Sequence, residues 1–374
     1  MTASMQRPTR YRATRYRATD DLPTDLRGRP RKDRLFAVLT TVLERTYISY
    51  IERTEYNSAA NRHPDDPLTL TLLQRRVVAE DENVVQLTFG LPDGGAVPAW
   101  QPGGHLDFHL PSGRRRQYSL CGDAASQDTY TVAVRRIPDG GGGSIEMHDL
   151  MPGDTVVVRG PRNGFPYTGS TAALFIAGGI GITPIIAMVR AARRDGIDWQ
   201  LVYYGRSRES MPFLDEIESW ESNRVSVCTD DVDGIPDATR LLRDAPTNGS
   251  VYCCGPTPML DAVRAGFSET ESTALHFERF GAPPVVDGTA FQVQLARSGA
   301  ILDVAADVSA LSVIKANNPG IGYSCQQGFC GTCKVRVLAG TPEHRENRLT
   351  PTEQQDHMLI CVSRSAGGRL VLDA

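Results

Sequence analysis

Three cysteines crowd the stretch GYSCQQGFCGTCK, Gly322 to Lys334: Cys325, Cys330 and Cys333. A fourth, Cys361, follows after 27 intervening residues. Three uses of four such sulfurs compete. Structural zinc usually takes paired CxxC knuckles, and only one CxxC is present. Disulfides suit an oxidising compartment, whereas the opening residues lack the apolar h-region of a secretory signal, so a reducing, cytoplasmic setting is expected. The spacing C-x4-C-x2-C with a distant fourth Cys is that of plant-type 2Fe–2S ligation. A compact loop lets three sulfurs converge while the fourth arrives from elsewhere in the fold. Gly320, Gly322, Gly328 and Gly331 let the backbone wrap closely and aim N–H groups at sulfur. The expected metal ligands are therefore Cys325, Cys330, Cys333 and Cys361. Such a cluster carries one electron at about −400 mV and does no organic chemistry. It asks for a source and a sink.

The source is sought on the same chain. AGGIGITP, residues 177–184, follows an apolar run and opens a helical pattern. Gly179 and Gly181 permit a tight turn, and the helix start presents N–H donors to a pyrophosphate. Its third glycine position is Pro184, a departure from GxGxxG. CCGPTPML, 253–260, supplies a second strand ending in Cys254-Gly255-Pro256 before another helix. Strand C-termini of a parallel sheet are where ligands bind, so Cys254 is the candidate to touch a nicotinamide. A nicotinamide delivers two electrons together and the cluster accepts one. A flavin can take two and release them singly. RRRQYSLCG, 114–122, offers Arg116 as a phosphate fork, Tyr118 as a ring against isoalloxazine and Ser119 as a hydroxyl to the flavin ring. Gly142, Gly143 and Ser144 form a second plausible phosphate nest.

Bulk properties agree with a chain of several domains. At 374 residues it exceeds one ordinary core, which suggests about two to four domains. A net charge of −4 argues against general nucleic-acid binding. Residues 1–34 carry ten Arg or Lys against four Asp and a tandem RYRAT repeat, a composition of disorder. Apolar residues at helical spacing over 33–54 predict an amphipathic helix, and any membrane association is expected only through residues 1–54. The uncharged run Thr171–Val189 contains three glycines and a proline, which reads as strand, turn and helix start rather than a membrane span. Short strands with Gly, Pro and Asp turns over 67–168 predict an antiparallel β-barrel. Strand–helix alternation over 169–280 predicts an α/β parallel sheet, with a helix after Pro184. GAPPVVDGTA, 281–290, is a linker by composition. Short strands return over 291–374 around the cysteine loop.

R-x-Y-S, GGS, GGIGITP, CGP and C-x4-C-x2-C…C occur in that order over about residues 67–374. This ordered set resembles the phthalate dioxygenase reductase family, single-chain reductases of Rieske non-haem iron oxygenases. The resemblance implies a flavin barrel, an NAD domain and a C-terminal α+β ferredoxin (β-grasp) domain passing electrons from NADH through FMN to the cluster. Carried over by motif, Arg116, Tyr118, Ser119, Arg135 and Gly142 to Ser144 bind FMN, and Thr183 reaches the flavin from the NAD domain. Gly179, Gly181, Arg206, Cys254 and Gly255 serve the dinucleotide, and Phe280 is the aromatic near the flavin. Cys254, Ser119 and Thr183 are the residues expected closest to the reacting atoms. R-x-Y-S also occurs in FAD-binding relatives, and Arg206 or Arg208 could accept the 2′-phosphate of NADPH, so both choices stay open. Histidines are read as structural or surface groups. The implied partner is a terminal oxygenase, and a monomer is expected. Rival sinks are a haem-thiolate monooxygenase or a membrane desaturase. A rival of another class is a non-catalytic iron–sulfur binding or sensor protein.

Overall fold

The computed structural model describes residues 63–374 except Asp65, Asp139, Gly140 and Asn347. The basic stretch and the helix expected over 33–54 lie outside the described residues. Arg62–Ala374 form one compact unit. Within it three sheets follow one another along the chain.

The first sheet comprises β1 (Leu68–Val77), β2 (Val84–Gly90), β3 (Gly104–His109), β4 (Arg115–Ser119), β5 (Tyr130–Arg135) and β6 (Thr155–Asn163). Its order is β4-β3-β6-β1-β2-β5, and every pairing is antiparallel. Alternation in β1 buries Leu68, Leu70 and Leu72, which pack with Leu87, Phe89, Leu106, Phe108 and Val132. A bridge between Leu120 and Val132 joins the two edge strands, so the sheet curls closed into a barrel. The helix α1 (Gly143–Asp149) drops Met147 into the same core.

The second sheet holds β7 (Ala172–Gly178), β8 (Asp198–Gly205), β9 (Val225–Thr229), β10 (Ser250–Cys254) and β11 (Ala274–Glu278). All are parallel, in the order β11-β10-β7-β8-β9. Leu174 and Ile176 face one apolar cluster, while Phe175 and Ala177 face another. Burial on both faces explains an uninterrupted apolar run that is not a membrane segment. Among the described residues no helix is long and apolar enough to cross a membrane. The helix α2 (Ile182–Arg194) starts before Pro184 rather than after it. The ring then sits in the first turn, where an N–H has no partner to lose. The chain leaves β7 toward β8 on one side and returns through β10 on the other. The strand order therefore switches between β7 and β10, with Gly178–Gly181 and Cys254–Pro256 at their carboxyl ends. The two turns press together: a Cβ on Gly181 would lie 2.2 Å from the Cys254 carbonyl oxygen. Barrel residues Val84, Cys121 and Ala133 share a core with Ile182, Ile185 and Ile186 of α2.

The third sheet, β13-β12-β18-β14-β16, is mixed. It is built from β12 (Phe291–Leu295), β13 (Ile301–Val304), β14 (Lys334–Ala339), β16 (His357–Leu359) and β18 (Arg369–Leu372), beside a separate antiparallel pair of β15 (Pro342–Glu343) and β17 (Arg364–Ser365). β12 pairs β18 in parallel, and the other pairings are antiparallel. One helix, α3 (Ala310–Asn317), is capped by the Ser309 hydroxyl and buries Ala310, Leu311 and Ile314 against the sheet. This is a β-grasp arrangement. The connection 281–290 is largely exposed, yet its far half is fastened to this third module. Arg345 donates to the carbonyls of Val286 (2.7 Å) and Asp287 (3.1 Å). Arg364, 1% exposed, donates to Thr289, Val308 and Ala305.

Removing a buried cation strands the carbonyls it donated to, at about 1–3 kcal/mol for each group left unsatisfied. Arg364→Leu is expected to lower the urea midpoint of the cysteine-bearing module and to expose 285–290 to protease. An unchanged midpoint and digestion pattern would contradict this account of the fastening.

Candidate electron-transfer site

β4 carries Arg116, Tyr118 and Ser119 to one mouth of the barrel, and β5 delivers Arg135 beside them. They line a cavity of about 420 Å³. Gly143 and Ser144, at the start of α1, line it too, as do Thr183 from the β7–α2 turn and Phe280. Gly142 does not: its left-handed backbone (φ 77°) turns the loop into α1. Ser144 Oγ accepts from the Ile137 N–H at 3.1 Å, and Thr183 Oγ1 donates to the Ile180 carbonyl at 3.0 Å. Tyr118 is largely buried, its ring edge-on to Phe108 at 5.6 Å, and burial holds its hydroxyl above the usual phenol range.

A second cavity, about 630 Å³, opens over the switch between β7 and β10. Gly179, Gly181, Arg206 and Gly255 line it, and so does Asp230 beyond β9. Arg208 is instead drawn to Glu218. Cys254 is not on the surface of this cleft. Its thiol is fully buried beneath the turn, and burial, with Glu278 nearby, pushes its pKa well up. Arg135, Ile180, Arg279 and Phe280 line both cavities, so the two meet there.

The cysteine loop closes the first cavity from the third module. Cys325 itself is in the wall, together with Tyr323, Ser324, Gln327 and Phe329. Among the described residues no three His, Cys, Asp or Glu converge on one metal position. The four cysteines associate in two pairs instead. The Cys325 thiol hydrogen-bonds to Cys330, which lowers Cys330 and raises Cys325 in turn. Cys333 is likewise lowered by Cys361. Two pairs suit two irons joined by sulfide, each iron taking two protein sulfurs, better than one tetrahedral zinc. The Gln327 N–H donates to Cys325 Sγ at 3.3 Å, as a cluster-tuning amide does. All eight cysteines are free of disulfides.

Several wall residues were not singled out by sequence. His105, 5% exposed, lines the first cavity, although histidines were read as structural; burial, the largest cause, keeps it neutral against the opposing pull of Asp107. Lys315 and Tyr323 enter from the third module, and Arg116 donates to Tyr323 Oη at 2.9 Å. Glu278 and Ser324 each present a sealed oxygen, Oε2 and Oγ, that has no hydrogen-bond partner among the described residues. The wall holds Arg116, Arg135, Arg279 and Lys315 against a single carboxylate, Glu278. Cations, aromatic rings and orphaned polar atoms fit a flat, polar-edged anion such as a flavin phosphate. The adjacency of Glu278 to Phe280 in HFERFG was the available clue; Lys315 had none.

Burial raises the Glu278 carboxyl from 4.5 to about 8. A raised carboxyl favours the folded state when protonated, so its contribution fades as pH climbs through that interval. In flavin-free protein, Glu278→Gln is expected to gain stability relative to the parent as pH rises from 4.5 to 8. Denaturation midpoints across that range check it; a constant difference would show that Glu278 is not buried as a neutral acid.

Comparison with known proteins accords with this geometry. Residues 69–167 match the oxidoreductase FAD-binding domain, 175–265 the oxidoreductase NAD-binding domain, and 293–366 the 2Fe-2S iron-sulfur cluster binding domain. Phthalate dioxygenase reductase of Burkholderia cepacia is 36% identical over 318 residues, covering 83% of this chain and 98% of its own. A solved phthalate dioxygenase reductase structure superposes with a TM-score of 0.62 at 34% identity, over 84% of this chain and all (100%) of that one. Full-length CYP116B46 from Tepidiphilus thermophilus gives a TM-score of 0.59 at 37% identity, over 84% of this chain and 42% of that chain. With barrel, nucleotide sheet and cysteine-bearing β-grasp module in the same order and over nearly the whole length of such relatives, the chain belongs to the phthalate dioxygenase reductase family.

Proposed function

We propose that this chain takes electrons from NADH in the cleft over the β7–β10 switch, passes them through FMN in the barrel cavity, and delivers them singly to a separate terminal oxygenase. The observation that carries the reading is the shared wall. One cavity is lined by Ser119 of the barrel, Thr183 of the nucleotide module and Cys325 of the cysteine loop. The flavin supplies the conversion of a two-electron donor into one-electron steps. The protein's part is to hold the carriers adjacent and oriented. Tyr118 and Ser119 face the ring, Arg116, Gly143 and Ser144 the phosphate side. Ile180 and Phe280 mark where cleft and cavity meet, and Thr183 lines the cavity beside them. Gly179, Gly181 and Gly255 leave room for the dinucleotide backbone, and Arg206 and Asp230 flank its far end. Asp230 supports NADH, since a carboxylate there accepts from a ribose 2′-hydroxyl. Cys254 acts from beneath the turn, by shaping it. Cys325, Cys330, Cys333 and Cys361 hold the 2Fe–2S cluster.

A protein that only stores a cluster has no use for the other two modules, and the sensor alternative falls with them. Among sinks, a Rieske non-haem iron oxygenase is favoured by the relative whose name couples it to phthalate dioxygenase. A haem-thiolate monooxygenase is the second reading, supported by the likeness to a chain that carries one. Eight free thiols suit a reducing cytoplasm, and the reductase is proposed to act as a monomer.

Anaerobic mixing with NADH is expected to bleach the flavin absorbance and then the cluster absorbance. In Cys330→Ala the first change is expected to persist, while reduction of a one-electron protein acceptor falls by at least about 100-fold, since the relay then lacks its exit. Acceptor reduction at the parental rate would overturn the relay. A third measurement separates the sinks: NADH-dependent reduction of purified Rieske oxygenase, but not of a haem-thiolate protein, is the expected result.

A further inference from the structure

We propose that the ferredoxin module completes the flavin-phosphate site, with Lys315 and Tyr323 as ligands, so that flavin retention and docking of that module are one equilibrium. The inference rests on the flavin reading of the barrel cavity and goes beyond it, because no motif in the chain points to these two residues.

The geometry is specific. Tyr323 lies two residues before Cys325, and its hydroxyl reaches across to the barrel. Arg116 Nη2 donates to Tyr323 Oη at 2.9 Å and to the Gly141 carbonyl at 2.9 Å. The Arg116 guanidinium also lies 4.6 Å from the Tyr323 ring centre, and Lys315 Nζ lies 4.5 Å from the same centre. The tyrosine hydroxyl is thus seated in the glycine loop itself: a Cβ on Gly141 would fall 2.1 Å from it. Lys315 and Tyr323 line the cavity together with Gly143 and Ser144. The nearest acid on α1, Glu146, is held by Arg114 and does not line the cavity. Two cations and a hydroxyl therefore meet at the Tyr323 ring, and Glu278 is the one carboxylate lining the same cavity. Beside them the sealed Ser324 Oγ has no partner among the described residues.

A phosphate monoester dianion fits that set. Arg116 offers a fork, Lys315 a point charge and Tyr323 a neutral donor. The guanidinium donates to the tyrosine hydroxyl; a bound phosphate would be held by Arg116 from the barrel and by Lys315 and Tyr323 from the ferredoxin module, and so would tie the two together. By linkage, whatever tightens the flavin tightens the module's docking by the same factor.

The test uses the full-length chain, flavin removed and cluster retained, titrated with FMN and with riboflavin by flavin fluorescence. Cluster absorbance reports that each variant is folded. Lys315→Gln is expected to weaken FMN about tenfold, as loss of one charge-assisted contact does, and to leave riboflavin unchanged because riboflavin has no phosphate. Lys315→Arg should restore most of the loss. Tyr323→Phe, which keeps the ring, should weaken FMN severalfold with the same indifference to riboflavin. Parental FMN affinity in both Lys315→Gln and Tyr323→Phe, with riboflavin still bound, would overturn this proposal while sparing the flavin reading. If the parent binds neither flavin, that reading falls and this proposal with it.

Discussion

The Arg116 guanidinium touches two modules whose sequences are far apart, and the arrangement of this protein depends on that meeting. Electron transfer between carriers requires closeness, and closeness here means that a loop built to hold a cluster must lie against a barrel mouth. The barrel alone cannot close its cavity. Its strands supply a floor of Tyr118, Ser119 and Arg135, and the nucleotide module supplies the flank at Ile180 and Thr183. Much of the remaining wall comes from the cysteine loop, with Lys315 and the Glu278–Phe280 segment. Barrel and nucleotide module are locked by a common apolar core and by Arg190, which grips Glu216 with two nitrogens at 2.7 and 2.6 Å and also donates to the Cys121 carbonyl. The ferredoxin module is held by fewer and more polar contacts, among them Gln327 donating to the Arg279 carbonyl. A polar, hydrogen-bonded seam of this kind can be rearranged more cheaply than a packed core.

What could be read from the sequence follows from how local each signal is. The 2Fe–2S domain was legible because three of the four cysteines proposed as its ligands sit within nine residues and because sulfur spacing is tied to one chemistry. The glycine turn after β7 was legible because strand, turn and helix are contiguous. Its physical reason was not, since the Gly181 position is dictated by Cys254, far along the chain and adjacent only in the sheet. The same distance effect misplaced Cys254: its neighbour Gly255 lines the cleft, while the thiol itself is packed underneath. Lys315 and Tyr323 were invisible for the plainest reason, a separation of 207 residues between Tyr323 and its partner Arg116.

The electrostatics of the junction have a common direction. Burial lowers His105 toward its neutral form and raises the Glu278 carboxyl to about 8. A cavity whose removable charges are suppressed and whose fixed charges are positive holds a steady field toward an anion.

The fastening of the connection 281–290 has an evolutionary reading. Arg345 and Arg364 bind the carbonyls of Val286, Asp287 and Thr289 to the β-grasp body, so this half of the tether belongs to the C-terminal module. A gene fragment cut ahead of it carries its own leash. Shuffling such a fragment onto another redox protein would transplant an electron donor already provided with its tether, which makes this fold a ready component for chains that fuse reductase and oxygenase into one polypeptide.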